Sequence, residues 1–417
     1  MKKLLFLLCA LPCMLQAQKF DAKNTYVLIV GVLKWKDSQC LHPFSDVNRK
    51  DWELKDQLVK MGVPVGNITS LTDEKADLAS IQKGFETLSA KCTGNSTFIF
   101  YYAGHGIKKE HEYYFANYDI ECERCKKTGF GLSYLSTDLL SMNKAGTIML
   151  WADCCYSGAL LAQGEKIKEA GRNCIVFSSA TASNTSTGNW TFTQTLLDCF
   201  RNEKINDDGK DGKITTKDIR LALENAMKYR EHQMGGYYSS FTSEYEFVSG
   251  ATKTVITMPS KGSYASGSYA YGKYEGNWKP VRIIAPVGNK YLARFYFYSD
   301  YKDVELGVDE LKPIYFTKHN VNDKVDVTWE GQKYASTILK AVNDFYYIKY
   351  DGYDDSYNEW VMYDRIYTGK ETSAKIEENG KWYPGQIMEE KNGKYFIRYS
   401  GYDFSWDEWV GSDRIKK

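Results

Sequence analysis

Proline is scarce in this 417-residue chain, and neither sign of charge is in marked excess. Only 8 prolines stand against 33 tyrosines and 10 tryptophans, which excludes collagen-like and proline-rich chains. The formal net charge is +1, so the bulk electrostatics do not indicate a nucleic-acid partner. Hydrophobic residues make up 43% and charged residues 26%, which excludes wholesale disorder. The length predicts two to four domains.

Beyond the first residues the chain also lacks any apolar stretch long enough to span a membrane. The leader has Lys2 and Lys3, then a short apolar run over 4–15, and then Ala17 as a small residue for cleavage. This pattern predicts a secretory signal peptide at 1–17 and export to the periplasm or the extracellular space. An N-terminal anchor helix is the alternative.

A complete set of metal ligands is missing as well. Cys122 and Cys125 form one C-x-x-C pair without a second pair to complete a zinc site, so we expect a local disulfide or two free thiols. Residues 207–218 partly match a calcium loop, but Gly209 brings no side-chain oxygen to the third position. We favour a calcium-free turn over a calcium site there, and we expect no required cofactor.

Apolar strand-like runs alternate with amphipathic stretches between residues 25 and 251. They predict buried strands at 25–32, 96–103, 146–153 and 174–180, and helices at 46–61, 74–88, 192–200 and 216–230. For the second helix, Asp73 is the expected N-cap. The alternation predicts an α/β domain over 18–255, in which helices cover both faces of a parallel sheet. The Gly-, Ser- and Tyr-rich segment 256–273 predicts a linker.

The C-terminal part contains an internal repeat with an offset of 49 residues. The offset superposes Tyr350-Asp351-Gly352-Tyr353 on Tyr399-Ser400-Gly401-Tyr402, and Glu359-Trp360-Val361 on Glu408-Trp409-Val410. The repeat predicts two small SH3-like β-barrels, at 320–368 and 369–417. A degenerate third unit at 274–316 lacks the Glu-Trp pair.

Two of the predicted strands end in reactive residues, Gly104-His105-Gly106 and Asp153-Cys154-Cys155. Functional groups collect at the carboxyl ends of strands in an α/β sheet, so His105 and Cys155 are expected to meet there. An imidazole can take the proton of a thiol and return it to a leaving amine. The N–H groups of Gly106 and Cys155 are expected to stabilise an oxyanion. Neighbouring strand residues face opposite ways, so Cys154 should point into the core.

The sequences YYAGHG and DCCYSG, 50 residues apart, resemble the caspase-like cysteine peptidases, and within them the metacaspase-type branch, over roughly 25–250. The chain lacks the Q-A-C-x-G box of caspases, and Tyr156 stands where most metacaspases have His. The resemblance implies a caspase-like sandwich in which Cys155 is the nucleophile and His105 the base. It also implies that Asp153 and Asp46 line the substrate pocket and favour Arg or Lys before the cleaved bond. For Asp46, a role at a helix N-terminus is the alternative.

The C-terminal repeats resemble chromo-barrel and Tudor-knot domains, in which aromatic residues can hold methylated lysine. An exported protein should not meet histones, so the ligand of these barrels stays open. Residues 324–417 hold 14 Lys and Arg against 17 Asp and Glu, which disfavours nucleic acid. Trp360 and Trp409 are expected in the barrel cores, whereas the roles of Tyr402 and Trp406 stay open.

These observations predict an exported cysteine endopeptidase that forms a thioester acyl-enzyme. It would cleave a polypeptide after Arg or Lys, and its C-terminal barrels would target or hold it. Two alternatives remain. One is an inactive caspase-fold scaffold, and the other is a peptidase of the same fold that prefers an acidic residue before the cleaved bond.

Overall fold

The structure, a computed structural model, describes residues 18–201, 203, 206–250, 264–297 and 300–417. The expected signal peptide and residues 251–263 lie outside them. The strands of the N-terminal domain are β1 (Thr25–Gly31), β2 (Ile68–Thr72), β3 (Thr97–Ala103), β4 (Gly106–Lys109), β5 (Glu112–Phe115), β6 (Phe130–Gly131), β7 (Thr147–Asp153), β8 (Asn173–Ser178), β9 (Lys213–Thr215), β10 (Gly236–Ser239) and β11 (Glu246–Ser249). Its helices are α1 (Lys50–Lys60), α2 (Leu78–Ser89), α3 (Cys125–Thr128), α4 (Asp138–Met142), α5 (Leu160–Glu169), α6 (Thr191–Phe200) and α7 (Thr216–Glu231).

The central sheet has six strands in the order β10-β8-β7-β3-β1-β2. The five strands from β8 to β2 run parallel. Edge strand β10 runs antiparallel to β8, which the sequence did not predict. All four of its residues are half-buried, and its sequence lacks the continuous apolar run by which the other strands were predicted.

Side chains of the central strands alternate between two apolar cores. Leu28 and Val30 of β1 pack on one face, in a cluster that contains residues of α2, α4 and α5. Val27 and Ile29 pack on the opposite face, in a cluster that contains residues of α1, α6 and α7. The sheet is therefore covered on both faces, and the predicted α/β sandwich is confirmed.

The first two helices begin later than predicted. Helix α1 begins at Lys50, so Asp46 lies in the preceding loop. Helix α2 begins at Leu78, and its N-cap is Asp77, whose carboxylate accepts a hydrogen bond from the Ser80 N–H. The expected cap, Asp73, instead ion-pairs with Arg49 and accepts the Leu33 N–H. The Asp73 carboxylate, which the local sequence assigned to the start of the helix, therefore pairs with an arginine that is distant in the sequence.

Three five-stranded antiparallel sheets with one common strand order follow. The first contains β12 (Tyr269–Tyr274), β13 (Asn277–Val287), β14 (Lys290–Tyr296), β15 (Tyr301–Leu306) and β16 (Leu311–Lys312). The middle one contains β17 (Lys324–Trp329), β18 (Gln332–Val342), β19 (Phe345–Tyr350), β20 (Glu359–Val361) and β21 (Ile366–Tyr367). The last contains β22 (Thr372–Glu378), β23 (Lys381–Lys391), β24 (Lys394–Tyr399), β25 (Glu408–Gly411) and β26 (Ile415–Lys416). We call them the first, middle and last barrels. Strand β12 begins inside the segment expected to be a linker.

Partly exposed ion pairs explain the repeated motif of the middle and last barrels. Glu359 lies 2.7 Å from Arg365, and the matching Glu408 lies 2.8 Å from Arg414. Each glutamate also accepts a hydrogen bond from a tyrosine hydroxyl of the neighbouring strand, Tyr350 or Tyr399. The first barrel keeps the strand order without this ion pair. The strands are specified by side chains that alternate between the two faces of the sheet, not by the motif.

The middle and last barrels pack against α7 through one shared apolar cluster, which we call the junction core. Its buried members are Phe316, Phe345, Met362, Tyr363 and Phe396, and its half-buried members include Tyr229, Met234, Trp360, Phe404 and Trp409. Trp360 and Trp409 therefore pack between domains, not inside their own barrels as the sequence suggested. Tyr402 is 45% exposed, whereas Trp406 packs against the core of the last barrel.

A disulfide joins Cys40 to Cys122, so both alternatives expected for Cys122 and Cys125, a local bridge or two free thiols, are wrong. Cys125 is a free, buried thiol in α3. The partner of Cys122 lies 82 positions away, a separation that no spacing rule reveals.

In the part of the chain that the structure describes, no helix is long and apolar enough to cross a membrane.

Candidate active site

The ends of β3 and β7 bring the two predicted catalytic residues to one edge of the sheet. In the parallel register of these strands Ala103 pairs with Asp153. His105 and Cys155 each follow two positions later, beyond the last paired residues. Adjacent strands lie about 4.8 Å apart, so this register places the two segments side by side.

A glycine is required where these segments meet. A Cβ atom built on Gly106 would lie 1.8 Å from the carbonyl oxygen of Cys155. Any larger residue at position 106 would push the histidine segment away from the cysteine segment. The glycine that follows His105 in the sequence is therefore needed for the close approach of these two segments.

Cys155 is half-buried, and its sulfur accepts a hydrogen bond from the Ser186 N–H at 3.1 Å. Burial raises the pKa of this thiol, while the N–H groups of Ser186, Cys155 and Gly106 act in the opposite direction. The net direction is upward, so the resting group is a thiol that needs a base. Cys154 is only 2% exposed and points into the core.

The His105 ring lies between Trp35 and Phe44, with ring centroids 4.6 Å and 4.4 Å away. Its Nε2 atom lies 2.9 Å from the carbonyl oxygen of His42. A carbonyl oxygen can only accept, so Nε2 carries the hydrogen and Nδ1 of the neutral ring is left as the acceptor. Burial lowers the pKa of His105, which favours this neutral form. Among the described residues, no hydrogen bond joins this ring to the Cys155 thiol.

A small cavity of about 30 Å³ lies at this edge of the sheet. Its walls include Leu33, Phe44, Gly104, Asp153, Cys155 and residues 186–190. Asp153 is buried, and its carboxylate accepts hydrogen bonds from the Thr193 N–H at 3.2 Å and hydroxyl at 2.6 Å. Burial raises the pKa of Asp153 to about 7, against the opposing effect of Thr193. The structure thus places Asp153 beside Cys155 in one cavity.

Asp46 lies elsewhere. Its carboxylate pairs with Lys34 at 2.6 Å, both side chains are about half exposed, and Asp46 is not among the residues that line the cavity. The two carboxylates expected to share a substrate pocket are therefore not brought together in this structure.

Sequence reasoning missed the loop 181–190, which holds Cys155 from the side opposite His105. The Ser186 N–H contacts the sulfur, and the Asn184 carbonyl accepts the Tyr156 N–H at 2.9 Å. Ser, Thr, Asn and Gly dominate this loop, and no motif distinguishes it. The only feature of the sequence that could have pointed to this loop is its position directly after a strand, which ends at Ser178.

Residues 207–218, which partly match a calcium loop, form a turn held by its own carboxylates. Asp207 accepts the N–H groups of Asp211 and Gly212, and Asp218 accepts that of Asp208. Nowhere in the described ranges do three or more His, Cys, Asp or Glu side chains form a group able to hold a metal ion.

Comparisons with known proteins bear on both parts of the chain. A family model described as "Caspase domain" matches residues 25–246, and a Tudor-knot model described as "RNA binding activity-knot of a chromodomain" matches residues 370–417. No protein of curated function matches the chain.

Two solved structures are similar. A structural-genomics protein from Geobacter sulfurreducens is 13% identical, with 52% of this chain and 93% of that chain covered and a TM-score of 0.38. The Drosophila initiator caspase Dronc is 12% identical, with 56% and 87% covered and a TM-score of 0.35. The caspase-domain match spans more than half of the residues. The chain therefore belongs to the caspase-domain family and carries a C-terminal Tudor-knot domain.

Proposed function

We propose that this chain is a cysteine endopeptidase in which Cys155 is the nucleophile and His105 the general base. The observation that carries the proposal is the bond between His105 Nε2 and the His42 carbonyl, which leaves Nδ1 as the proton acceptor one strand away from Cys155. A half-buried, neutral imidazole that follows the strand beside that of a thiol with a raised pKa can form an acid–base pair with it and needs no further group.

In the proposed reaction the Cys155 proton moves to Nδ1 of His105, and the thiolate attacks the carbonyl carbon of the substrate. The N–H groups of Gly106 and Cys155 are assigned to the developing oxyanion. His105 then returns the proton to the leaving amine, which departs and leaves a thioester on Cys155. Water activated by His105 hydrolyses the thioester and restores the thiol. Each step uses groups of the chain, so we propose no cofactor.

We propose cleavage after Arg or Lys, with Asp153 as the recognising carboxylate. A cationic side chain beside Asp153 would stabilise its ionised form and so be attracted to it. The pairing of Asp46 with Lys34 argues against a second carboxylate in the same pocket. The alternative is a substrate with an acidic residue before the cleaved bond. Asp153 would repel that residue except in the pH range where Asp153 is protonated.

Export is part of the proposal. The leader lies outside the described residues, and the Cys40–Cys122 disulfide supports an oxidising compartment, periplasmic or extracellular. An anchor helix in place of a cleaved signal would leave the same domains on the same side of the membrane.

We propose that the barrels hold the peptidase at its place of action and also support its active site. Their packing on α7 argues against free tethering. Their ligand stays open, and the net acidity of residues 324–417 argues against RNA, despite the wording of the matching model. In the alternative function, an inactive scaffold, the barrels would make the same contacts with α7 but the protein would cleave no substrate.

One experiment separates these functions. The full chain without its leader is incubated with peptides that differ only in Arg, Lys, Leu or Asp before the cleaved bond, with and without calcium, beside Cys155→Ala. Cleavage after Arg and Lys that Cys155→Ala abolishes supports the proposal. Cleavage after Asp supports the acidic alternative, and no cleavage by a folded protein that also resists thiol-reactive lysyl probes supports the scaffold.

A further inference from the structure

A second and larger cavity opens beside the catalytic one. It has a volume of about 170 Å³ and lies between the N-terminal domain and the first barrel. Asn189 and Trp190 line both cavities, so the two are adjacent along the loop that holds Cys155. The barrel supplies part of the wall, including Lys279, Tyr296 and Tyr301. These residues lie outside the caspase-domain match, so this cavity is particular to the arrangement of domains in this chain.

Two cations in the cavity are held by aromatic rings rather than by acids. The Arg230 guanidinium lies 4.0 Å from the centre of the Tyr296 ring. The Lys279 ammonium lies 5.3 Å from the Phe297 ring. Both side chains are half-buried, and within the described ranges neither forms an ion pair with a carboxylate. Aromatic faces orient a cation but do not neutralise it.

The two acids of the cavity, Glu231 and Asp300, hydrogen-bond to neutral groups and form no ion pair with Arg230 or Lys279. Both oxygens of Glu231 accept hydrogen bonds, one from Thr191 and one from Asn189. Asp300 accepts the backbone N–H of Tyr301. The third cation, Lys50, pairs with Glu53. Arg230 and Lys279 therefore have no ion-pair partner among the described residues, although the two carboxylates Glu231 and Asp300 line the same cavity.

We propose that this cavity binds an acidic side chain, Glu or Asp, of the polypeptide substrate at a position removed from the cleaved bond. The inference rests on the proposed peptidase function, because it takes the segment past Asn189 and Trp190 as the path of the substrate. A carboxylate fits the site, since two half-buried cations without acidic partners favour an anion. The preferred substrate then combines a basic residue at the cleaved bond with an acid further along the chain.

The test uses peptides with one Lys before the cleaved bond and a single Glu placed in turn at each position from P6 to P4′. Each has a twin with Gln in place of Glu. At one or two adjacent positions the wild type should prefer Glu in kcat/KM by about fivefold, the upper range for a partly exposed charge pair. Lys279→Gln should remove this preference, and Lys279→Glu should reverse it. Lys290→Gln, an exposed lysine of the same barrel, is the matched control. No positional preference, or one unchanged by both Lys279 variants, overturns the proposal.

The same twins, labelled with fluorescein, are then bound to the Cys155→Ala protein, which needs no turnover. Tighter binding of the Glu twin with loss in Lys279→Gln supports the cavity even if the wild type cleaves nothing, and in that case only the peptidase function fails. Equal binding of both twins overturns the cavity assignment, whether or not cleavage occurs. Arg230→Gln gives a second, independent reading of the same preference.

Discussion

The side-chain amide of Asn184 and the backbone of Trp360 exchange two hydrogen bonds between the peptidase domain and the middle barrel. Asn184 donates to the Trp360 carbonyl at 2.8 Å and accepts the Trp360 N–H at 3.1 Å. Two residues further along the same loop, Ser186 donates to the Cys155 sulfur. The middle barrel thus fixes the loop that holds Cys155.

Asn184→Ala should lower kcat by roughly five- to tenfold, because the loop loses its anchor and the Cys155 sulfur its fixed position. The thermal midpoint should change little, since the lost contact is a half-buried one. The measurement is kcat and KM on a lysyl peptide, with the exposed Asn95→Ala as control. An unchanged kcat in a folded Asn184 variant would show that the barrel contact is irrelevant to turnover.

Cys155→Ala should abolish hydrolysis, whereas Cys154→Ala should retain turnover and lose stability. Cys154 is buried in the core, and a change at such a site costs about 1–3 kcal/mol of unfolding free energy. Activity assays and urea unfolding of both variants check this. Equal loss of turnover in two folded variants would remove the assignment of the nucleophile.

Asp153→Asn should reduce the preference for Arg and Lys over Leu by about tenfold to a hundredfold, the worth of a charge-assisted hydrogen bond of roughly 1.5–3 kcal/mol. Thr193 can still donate its hydroxyl to the Asn carbonyl, so the fold should survive. Matched peptides measure the ratio of kcat/KM. A ratio that stays at the wild-type value would exclude Asp153 from substrate recognition.

The preference for basic residues should also depend on pH. The pKa of Asp153 is about 7, so the carboxylate is protonated below that pH and ionised above it. The ratio of kcat/KM for lysyl over leucyl peptides should therefore rise between pH 6 and 8. Taking the ratio cancels the ionisation of His105 and Cys155, which affects both substrates. Asp153→Asn should flatten the profile, and a slope that persists in this variant contradicts the prediction.

Removal of the Cys40–Cys122 disulfide should impair His105 through the His42 carbonyl, two residues from Cys40. The double variant Cys40→Ser, Cys122→Ser should lose about tenfold in kcat. The hydrogen bond to His42 raises the pKa of His105, so its loss should move the acidic limb of the pH–rate profile to lower pH. A merely destabilised protein would keep the limb in place. Cys92→Ser, which removes a buried thiol outside the disulfide, is the control.

The strands that carry the site were predictable because their signals are local. β3 and β7 are continuous apolar runs, and the reactive residues follow directly in the sequence. The contacts that complete the site were not predictable. The His42 carbonyl, the Ser186 N–H and the Trp360 backbone all come from segments whose own residues show no chemical pattern, and they meet the site only through the fold.

The same distinction applies to the errors. Local preference assigned Asp73 to a helix start, and Asp46 was assigned to the substrate pocket or else to a helix start, yet Arg49 and Lys34 pair with them. Cys122 was matched to its neighbour in sequence, but the chain brings Cys40 to it. Charges and thiols are satisfied by whatever group the tertiary structure supplies, which local spacing does not encode.

The junction core makes the N-terminal domain, the middle barrel and the last barrel one cooperative unit. Residues of α7 and its C-terminal extension share this apolar cluster with the middle and last barrels, so none of these parts can melt without exposing the others. Heating should therefore give a single calorimetric transition instead of one per domain. A protease that clips the middle or last barrel would at the same time loosen the helix behind the central sheet, and loss of these barrels would shorten the lifetime of the whole protein.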